Sequence, residues 1–227
     1  MLIDLTQTLH SGIPDWEGCC GFQLTETLCK PSGICVQTLS MPSGIGTHMD
    51  APRHFAQNGQ AIADLPLECL IAKAVVIDCR PNAHAEYFLT CEEILIFEKT
   101  HGEIPEHALV LLLTGWSQYW HDSVRYRNPD ASGHLRFPGF SEDSIDYLLT
   151  KSIVGIGIDT LSPDGSHPDF PVHRKILGSG KYILENLCHL EKLPPMGAKV
   201  MAFPLKIRNG SEAPCRVIAE MSAARTL

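Results

Sequence analysis

The chain has 227 residues, of which 44% are hydrophobic and 19% are charged, a balance typical of a folded globular protein. The formal net charge is -8, and no cluster of lysine or arginine offsets it, which argues against a nucleic-acid surface. No apolar stretch reaches the ~20 residues that span a bilayer. At this length we expect one domain over residues 1–227 with its own hydrophobic core.

Apolar runs along the chain predict seven strands. They are Leu2–Leu5, Cys35–Leu39, Ala74–Asp78, Leu109–Thr114, Ile153–Ile158, Lys199–Phe203 and Arg216–Ala219. Two helices are predicted at Cys91–Lys99 and Glu142–Leu149, because each follows a capping hydroxyl residue and carries acidic residues in its first turn. A shorter predicted helix, Pro171–Leu177, begins with proline. Strands outnumber helices, so the expected fold class is α/β with a mixed-sheet core and few helices.

The segment Arg125–Pro138 is predicted to be a long loop that acts as a lid or contacts a neighbouring subunit. Within or near it, His121 and His134 are expected to be solvated. Neither is therefore proposed as a metal ligand.

The nine cysteines include no Cys-x-x-Cys pair, and their odd number indicates neither a zinc knuckle nor a complete disulfide framework. The segment Met1–Leu5 carries an early acid and lacks the basic start of a signal peptide, which predicts a cytoplasmic protein with reduced thiols. Cys79 and Cys215 lie in apolar runs and are expected in the core. Cys19 and Cys20 are expected to be exposed and sensitive to oxidation.

The strongest chemical signal is the run Gly44–Phe55. In an extended segment His48 and Asp50 face the same side, and Pro52 redirects the chain so that His54 approaches the same space. Imidazole and carboxylate groups are the usual ligands of zinc, manganese and non-haem iron. Although a single loop histidine is more often a surface residue, this combination indicates half of a metal site with a base beside it.

The string Gly46–His54 resembles part of the motif His-x-Gly-Thr-His-x-Asp-x-Pro-x-His of the cyclase superfamily of metal-dependent hydrolases. That superfamily includes bacterial kynurenine formamidases and isatin hydrolases. Further segments that match its pattern are Thr114–Trp120, Phe137–Ser141, Gly157–Ser162, Phe170–His173, Glu185–Leu187 and Pro204–Ile207. The resemblance implies the swivelling β/β/α fold of the family and a homodimer or homotetramer.

The resemblance also implies roles for individual residues. By position, the implied metal ligands are His48, Asp50, His173 and Glu185. They would hold one or two divalent cations per chain, with zinc as the first expectation and manganese as the alternative. His54 matches the catalytic acid/base. Trp16 lies where kynurenine formamidases place an aromatic residue against the substrate, and its alternative role is packing.

The spacing of His173 and Glu185 needs a broken element between them. On one straight helix, residues twelve apart would lie about 120° from a common face, and the Gly178–Gly180 segment would interrupt such a helix. A short helix ending near Leu177, followed by a turn and a second short element, would let both side chains approach one point. The alternative is that Glu185 caps a helix or pairs with Lys181.

Gly44 departs from the family pattern, because it stands where the first histidine ligand is expected and glycine has no donor atom. One metal, a water-filled gap or a substitute ligand such as Ser43 all remain open. The predicted function is metal-dependent hydrolysis of a C–N bond other than a peptide bond. A metal-activated water would attack a small amide or cyclic amide, with N-formylkynurenine as the first candidate, and His54 would carry the proton to the leaving nitrogen. The alternatives are hydrolysis of isatin, a cyclic imide or a lactone, or metal and small-molecule binding without turnover.

Overall fold

The computed structural model describes residues 1–29 and 33–221. In these ranges the strands are β1 Leu2–Asp4, β2 Gln23–Cys29, β3 Cys35–Ser40, β4 His48–Asp50, β5 Ile71–Asp78, β6 Phe88–Leu89, β7 Ala108–Leu113, β8 Gly139–Phe140, β9 Gly155–Ile158, β10 Tyr182–Glu185, β11 Met196–Pro204 and β12 Glu212–Met221. The α-helices are α1 Cys91–His101, α2 Ser123–Arg127, α3 Glu142–Leu149 and α4 Pro171–Gly178. Short 3-10 helices lie at Pro52–His54, Ile62–Asp64, Leu67–Leu70, Trp116–Tyr119 and Leu190–Lys192.

Seven strands close into a barrel. The hydrogen-bonded order is β12-β11-β5-β7-β9-β10-β4, and β4 pairs with β12 to complete the ring. Strands β5, β7, β9 and β10 run parallel to one another, whereas every other pairing in the ring is antiparallel. Strand β1 is added outside the ring, antiparallel to β12. Closure leaves fewer exposed strand edges than an open sheet of the same strands would have.

Strand β7 shows how the two faces of the barrel wall are buried. Leu109 and Leu111 pack into the cluster that fills the barrel, whereas Val110 and Leu112 pack outward against the helices. The outer cluster includes Ile145 of α3 together with residues of α1 and α4. A parallel strand that is covered on both sides is continuously hydrophobic, which explains the unbroken apolar run in the sequence.

The mixed sheet with few helices is confirmed. All seven predicted strands and all three predicted helices are present, with bounds that differ by a few residues. The strand pattern did not foresee barrel closure, and the swivelling β/β/α description stays a prediction. Part of the predicted loop at Arg125–Pro138 is wrong, because α2 extends to Arg127 and is capped by Asp122. No helix in the described ranges is long and apolar enough to cross a membrane.

The expected environments of the cysteines are mostly confirmed. Cys79 and Cys215 are buried, and Cys19 is exposed. The expected exposure of Cys20 is wrong, because its side chain packs with Ile13 and residues around it. The cysteines whose side chains are described are free thiols, and the Cys29 side chain lies outside the described residues. His121 and His134 are exposed, as expected.

The capping residue of α1 supports a stability prediction. Thr90 Oγ1 accepts a hydrogen bond from Glu93 N, and Glu93 Oε2 accepts one from Thr90 N. Because this capping box satisfies two amides that the helix leaves free, Thr90→Ala should lower the free energy of unfolding by about 1 kcal/mol. Thr100→Ala is the matched control, since Thr100 is exposed near the other end of α1. Urea denaturation would contradict the assignment if both variants had the stability of the parent protein.

Candidate metal centre

Strand β4 aligns four of the side chains that form the site. It runs between β10 and β12, where Glu185 lies opposite His48 and Glu212 lies opposite Asp50. Directly opposed residues of an antiparallel pair project from the same face. Met49, between the two motif residues, is fully buried in the barrel core, so its neighbours point outward. The four polar side chains therefore share the outer face of the barrel wall.

Helix α4 brings His173 over this face. The carboxylate of Asp164 caps the helix, because it accepts hydrogen bonds from Val172 N at 2.7 Å and His173 N at 3.2 Å. It also accepts a hydrogen bond from His173 Nδ1. Asp164 thus fixes the start of the helix and the orientation of the imidazole with one group. The short helix, the turn after it and β10 bring His173 and Glu185 to one point, as the sequence reasoning required.

The two imidazole rings present the same nitrogen to the centre. His48 Nδ1 faces Gly46 O at 2.9 Å, and His173 Nδ1 faces Asp164. Each Nδ1 therefore carries the hydrogen in the neutral ring, and each Nε2 is left with its lone pair directed at the carboxylates.

The four expected ligands converge within a few ångströms. His48 Nε2 lies 3.5 Å from Asp50 Oδ1 and 3.3 Å from Glu185 Oε2. His173 Nε2 lies 3.3 Å from Asp50 Oδ2 and 3.2 Å from Glu185 Oε1. Both carboxylates are thus shared between the same two imidazoles. Two Nε2 lone pairs and two carboxylates that each lie close to both rings form a set of donors that suits a bound cation.

The hydrogen bonding of the buried carboxylate oxygens indicates whether a cation fits the site. Within the described residues, both carboxylate oxygens of Asp50 and Oε1 of Glu185 are buried and make no hydrogen bond. Leaving such atoms without a partner costs about 1–3 kcal/mol each, and more when they are charged. A divalent cation would satisfy all three. The nitrogen and oxygen donors suit zinc, manganese or iron.

The electrostatics of the site favour positive charge. Burial alone would lower the pKa of His48, but the carboxylates of Asp50 and Glu185 outweigh it and raise that pKa to about 10. Burial would also lower the pKa of His173, yet its contacts with Asp164, Asp50 and Glu185 raise it well above the usual value. For Asp50, burial would raise the pKa, but His48 and His173 together lower it. A metal cation would supply this positive charge and compete with protons for the Nε2 atoms.

Asn186 holds the motif loop in place. Its Nδ2 donates to Gly46 O at 2.9 Å, and its carbonyl accepts from Thr47 Oγ1 at 2.7 Å. Its Oδ1 accepts from the buried hydroxyl of Tyr126 at 2.9 Å. The backbone of Asn186 has φ 56°, a left-handed conformation in which asparagine is enriched. The residue after Glu185 therefore supports the carbonyl that orients His48.

The outer face that carries these side chains opens into a pocket of about 400 Å³. Its wall includes the aromatic rings of Trp16, Phe55 and Phe170, and the Trp16 ring centroid lies 5.7 Å from that of Phe170. His54, at the end of the Pro52–His54 turn, also lines the pocket, and its side chain is 32% exposed. Trp16 itself is 41% exposed, so it forms part of the pocket wall rather than of the core.

The structure brings the expected residues together. His48, Asp50, His173 and Glu185 meet at one point, and His54 and Trp16 line the same pocket. Pairing of Glu185 with Lys181 is wrong, because Lys181 Nζ donates to Ile153 O at 2.7 Å instead.

Two acids of the site were missed from the sequence. Asp164 precedes a predicted helix, but it is separated from Pro171 by several residues in the sequence, so its capping role was not predicted. Glu212 joins the face through the pairing of β12 with β4, which no local pattern reveals. Ser43, considered as a substitute ligand, instead donates from Oγ to Glu212 Oε1 at 2.8 Å.

Comparison with known proteins identifies the family. Residues 3–165 match the family described as "Putative cyclase", and the chain belongs to that family. The isatin hydrolase of Roseibium aggregatum is 37% identical over 186 residues, which cover 77% of this chain and 70% of that protein. The kynurenine formamidase of Salinibacter ruber is 31% identical over 222 residues, covering 96% of each. The structure of isatin hydrolase A from Labrenzia aggregata bound to benzyl benzoate has a TM-score of 0.91 at 35% identity, and the match covers 98% of this chain and 94% of that one.

The orienting role of Asp164 supports a binding prediction. Asp164→Asn replaces a carboxylate that accepts from three N–H groups with a group that also presents donors. Disordering of the imidazole should weaken binding of Zn²⁺ or Mn²⁺ by about 10- to 100-fold, as expected for a partner of a metal-bound histidine.

Isothermal titration calorimetry of the metal-depleted protein measures this change. Asp169→Asn is the matched control, because Asp169 is exposed in the same loop. Equal affinities of the two variants, with unchanged circular dichroism, would show that Asp164 does not orient the ligand.

Proposed function

We propose that this protein is a metal-dependent hydrolase that opens a small cyclic amide carried on an aromatic ring, as in isatin. One observation supports this proposal above the others. Two imidazole Nε2 atoms meet buried carboxylate oxygens that have no hydrogen-bond partner among the described residues, and they do so at the base of a pocket with aromatic walls. The similarity of this chain to isatin hydrolases in sequence and fold supports the choice of a cyclic substrate.

Some residues of the centre would bind the cation, and others orient the side chains that bind it. His48, Asp50, His173 and Glu185 would hold one or two divalent cations, with zinc as the first expectation and manganese as the alternative. A divalent cation at this position polarises a substrate carbonyl and lowers the pKa of water. Asp164 and Gly46 O fix the two imidazoles, so the Nε2 atoms need little reorganisation when they bind.

His54 is suited to move the proton. It lines the pocket beside the metal face but remains partly exposed, so it can exchange protons with solvent. Its imidazole would accept a proton as a water oxygen bonds to the amide carbon, and would deliver it to the ring nitrogen as the C–N bond breaks. The product is a carboxylate on one side of the opened bond and an amine on the other.

The aromatic wall of the pocket suits a planar aromatic substrate. The rings of Trp16, Phe55 and Phe170 form one side of the pocket, and the carboxylates form its base. A pocket of about 400 Å³ is within the range that encloses small organic ligands. An aromatic ring stacked on this wall would direct its amide carbonyl toward His48 and Glu185.

Hydrolysis of an open arylformamide, as in N-formylkynurenine, is the second candidate. The alignment with the kynurenine formamidase of Salinibacter ruber covers 96% of this chain, and that with the isatin hydrolase of Roseibium aggregatum covers 77%. The same pocket would accept an aromatic ring with a formamide beside it. Comparison of kcat/KM for isatin and N-formylkynurenine discriminates between the two, and the proposal expects the larger value for isatin.

The acid/base role of His54 is tested by His54→Ala. Loss of the proton carrier should lower kcat/KM by about 10²- to 10⁴-fold while metal content stays unchanged. His134→Ala is the control, because that side chain is 76% exposed and is not among the residues that line the pocket. Metal content is measured by plasma mass spectrometry on the same preparations.

Three results would overturn parts of this account. Retained turnover in His54→Ala would remove the acid/base assignment. Loss of metal from that variant would make His54 a ligand instead. Metal binding by the parent protein without hydrolysis of either substrate would favour binding without turnover.

A further inference from the structure

A third carboxylate lies beside the four expected ligands. Glu212 stands opposite Asp50 in the pairing of β12 with β4, and its side chain is 19% exposed at the edge of the pocket. One ligand atom each from His48, Asp50 and Glu212 lie within 4.8 Å of one another, which is close enough to share a cation. This acid is therefore placed by the sheet as firmly as Glu185, on the other side of β4.

Gly44 makes room for this acid. A Cβ atom on Gly44 would lie 2.8 Å from Glu212 Oε2 and 3.0 Å from its carboxyl carbon, so any larger residue there would displace the carboxylate. The Glu212 carboxylate thus occupies the space beside the residue that lacks a side chain. The Glu212 carboxylate can lie here because residue 44 has no side chain.

Among the described residues, one hydrogen bond holds the Glu212 carboxylate, through Oε1, and none is made to Oε2. Ser43 Oγ donates to Glu212 Oε1 at 2.8 Å. Oε2 lies 3.5 Å from His54 Nδ1, which is longer than a good N–H···O hydrogen bond. Oε2 is therefore available to a cation, and it faces the same space as the Asp50 oxygens, which are buried and have no hydrogen-bond partner among the described residues.

We propose that Glu212 is a metal ligand, and that its Oε2 replaces the donor that Gly44 lacks, beside His48 and Asp50. This inference rests on the metal-dependent chemistry proposed above. Glutamate in place of a neutral histidine adds one negative charge and one hard oxygen to the ligand set. Carboxylate-rich sets suit manganese better than histidine-rich sets do, so Glu212 shifts the preference of the site toward Mn²⁺.

Two variants test the inference by metal binding rather than by turnover. Glu212→Gln removes the charge and keeps the size of the side chain. Gly44→Ala keeps the carboxylate but places a methyl group only 2.8 Å from the present position of Oε2, and the flexible end of Glu212 can move aside without disturbing the barrel. Glu220→Gln is the matched control, because Glu220 lies on the same strand, is exposed and is 3.9 Å from Lys199.

The measurement is calorimetric titration of each metal-depleted full-length protein with Mn²⁺, followed by metal analysis after desalting. We expect Glu212→Gln and Gly44→Ala to weaken Mn²⁺ binding by at least about 10-fold, since even partners outside the ligand set change affinity by that amount. Glu220→Gln should bind as the parent protein does. Circular dichroism confirms that each variant is folded.

The outcomes separate this inference from the function on which it rests. If the parent protein and Glu212→Gln bind Mn²⁺ equally, Glu212 is not a ligand, and the proposed function stands. If Glu212→Gln keeps its Mn²⁺ affinity but loses turnover, Glu212 positions His54 and the inference is overturned. If the parent protein binds neither Mn²⁺ nor Zn²⁺, the inference and the proposed function both fail.

Discussion

Strand β4 pairs with both β10 and β12, and these two pairings position both the barrel wall and the site. Three residues are too few to form a stable strand alone, but here they are hydrogen-bonded on two sides and anchored by Met49 in the barrel core. The same pairing closes the barrel and places Glu185 and Glu212 beside His48 and Asp50. Barrel closure and assembly of the acidic face are therefore one structural event.

Burial of the carboxylates on that face carries an electrostatic cost. Asp50 and Glu185 are almost fully buried, and their oxygens face imidazole nitrogens at 3.2–3.5 Å without making good hydrogen bonds. Buried carboxylates of this kind are stabilised only when positive charge lies close to them. A divalent cation at the proposed site would supply this positive charge.

The surrounding residues keep the donor atoms in position. Asp164 orients His173 from the start of α4, and Asn186 supports the carbonyl that orients His48. Both partners are buried and reach the site from different elements. Two rings of the aromatic wall, Phe55 and Phe170, pack against the His173 imidazole, with ring centroids 4.9 and 5.9 Å away, so the wall also helps to hold that side chain in place.

Local features of the fold can be predicted from the sequence. Apolar runs predicted seven strands, and capping residues such as Thr90 and Ser141 predicted where helices begin, because these signals depend on neighbours in the chain. The motif around His48 and Asp50 indicated a metal site for the same reason, since alternate residues of an extended segment share a face. The family resemblance then supplied His173 and Glu185, which no local pattern joins to the motif.

The residues that lie beside Gly44 depend on strand pairings that no local pattern reveals. The three-residue strand β4 and the four-residue strand β10 are too short to give a clear periodic signal, so barrel closure could not be predicted. Glu212 is 168 residues from Gly44 in the chain, yet its carboxylate fills the space beside that glycine. Such proximity depends on the register between β12 and β4, and register is set by the packing of the whole barrel rather than by the residues that meet there.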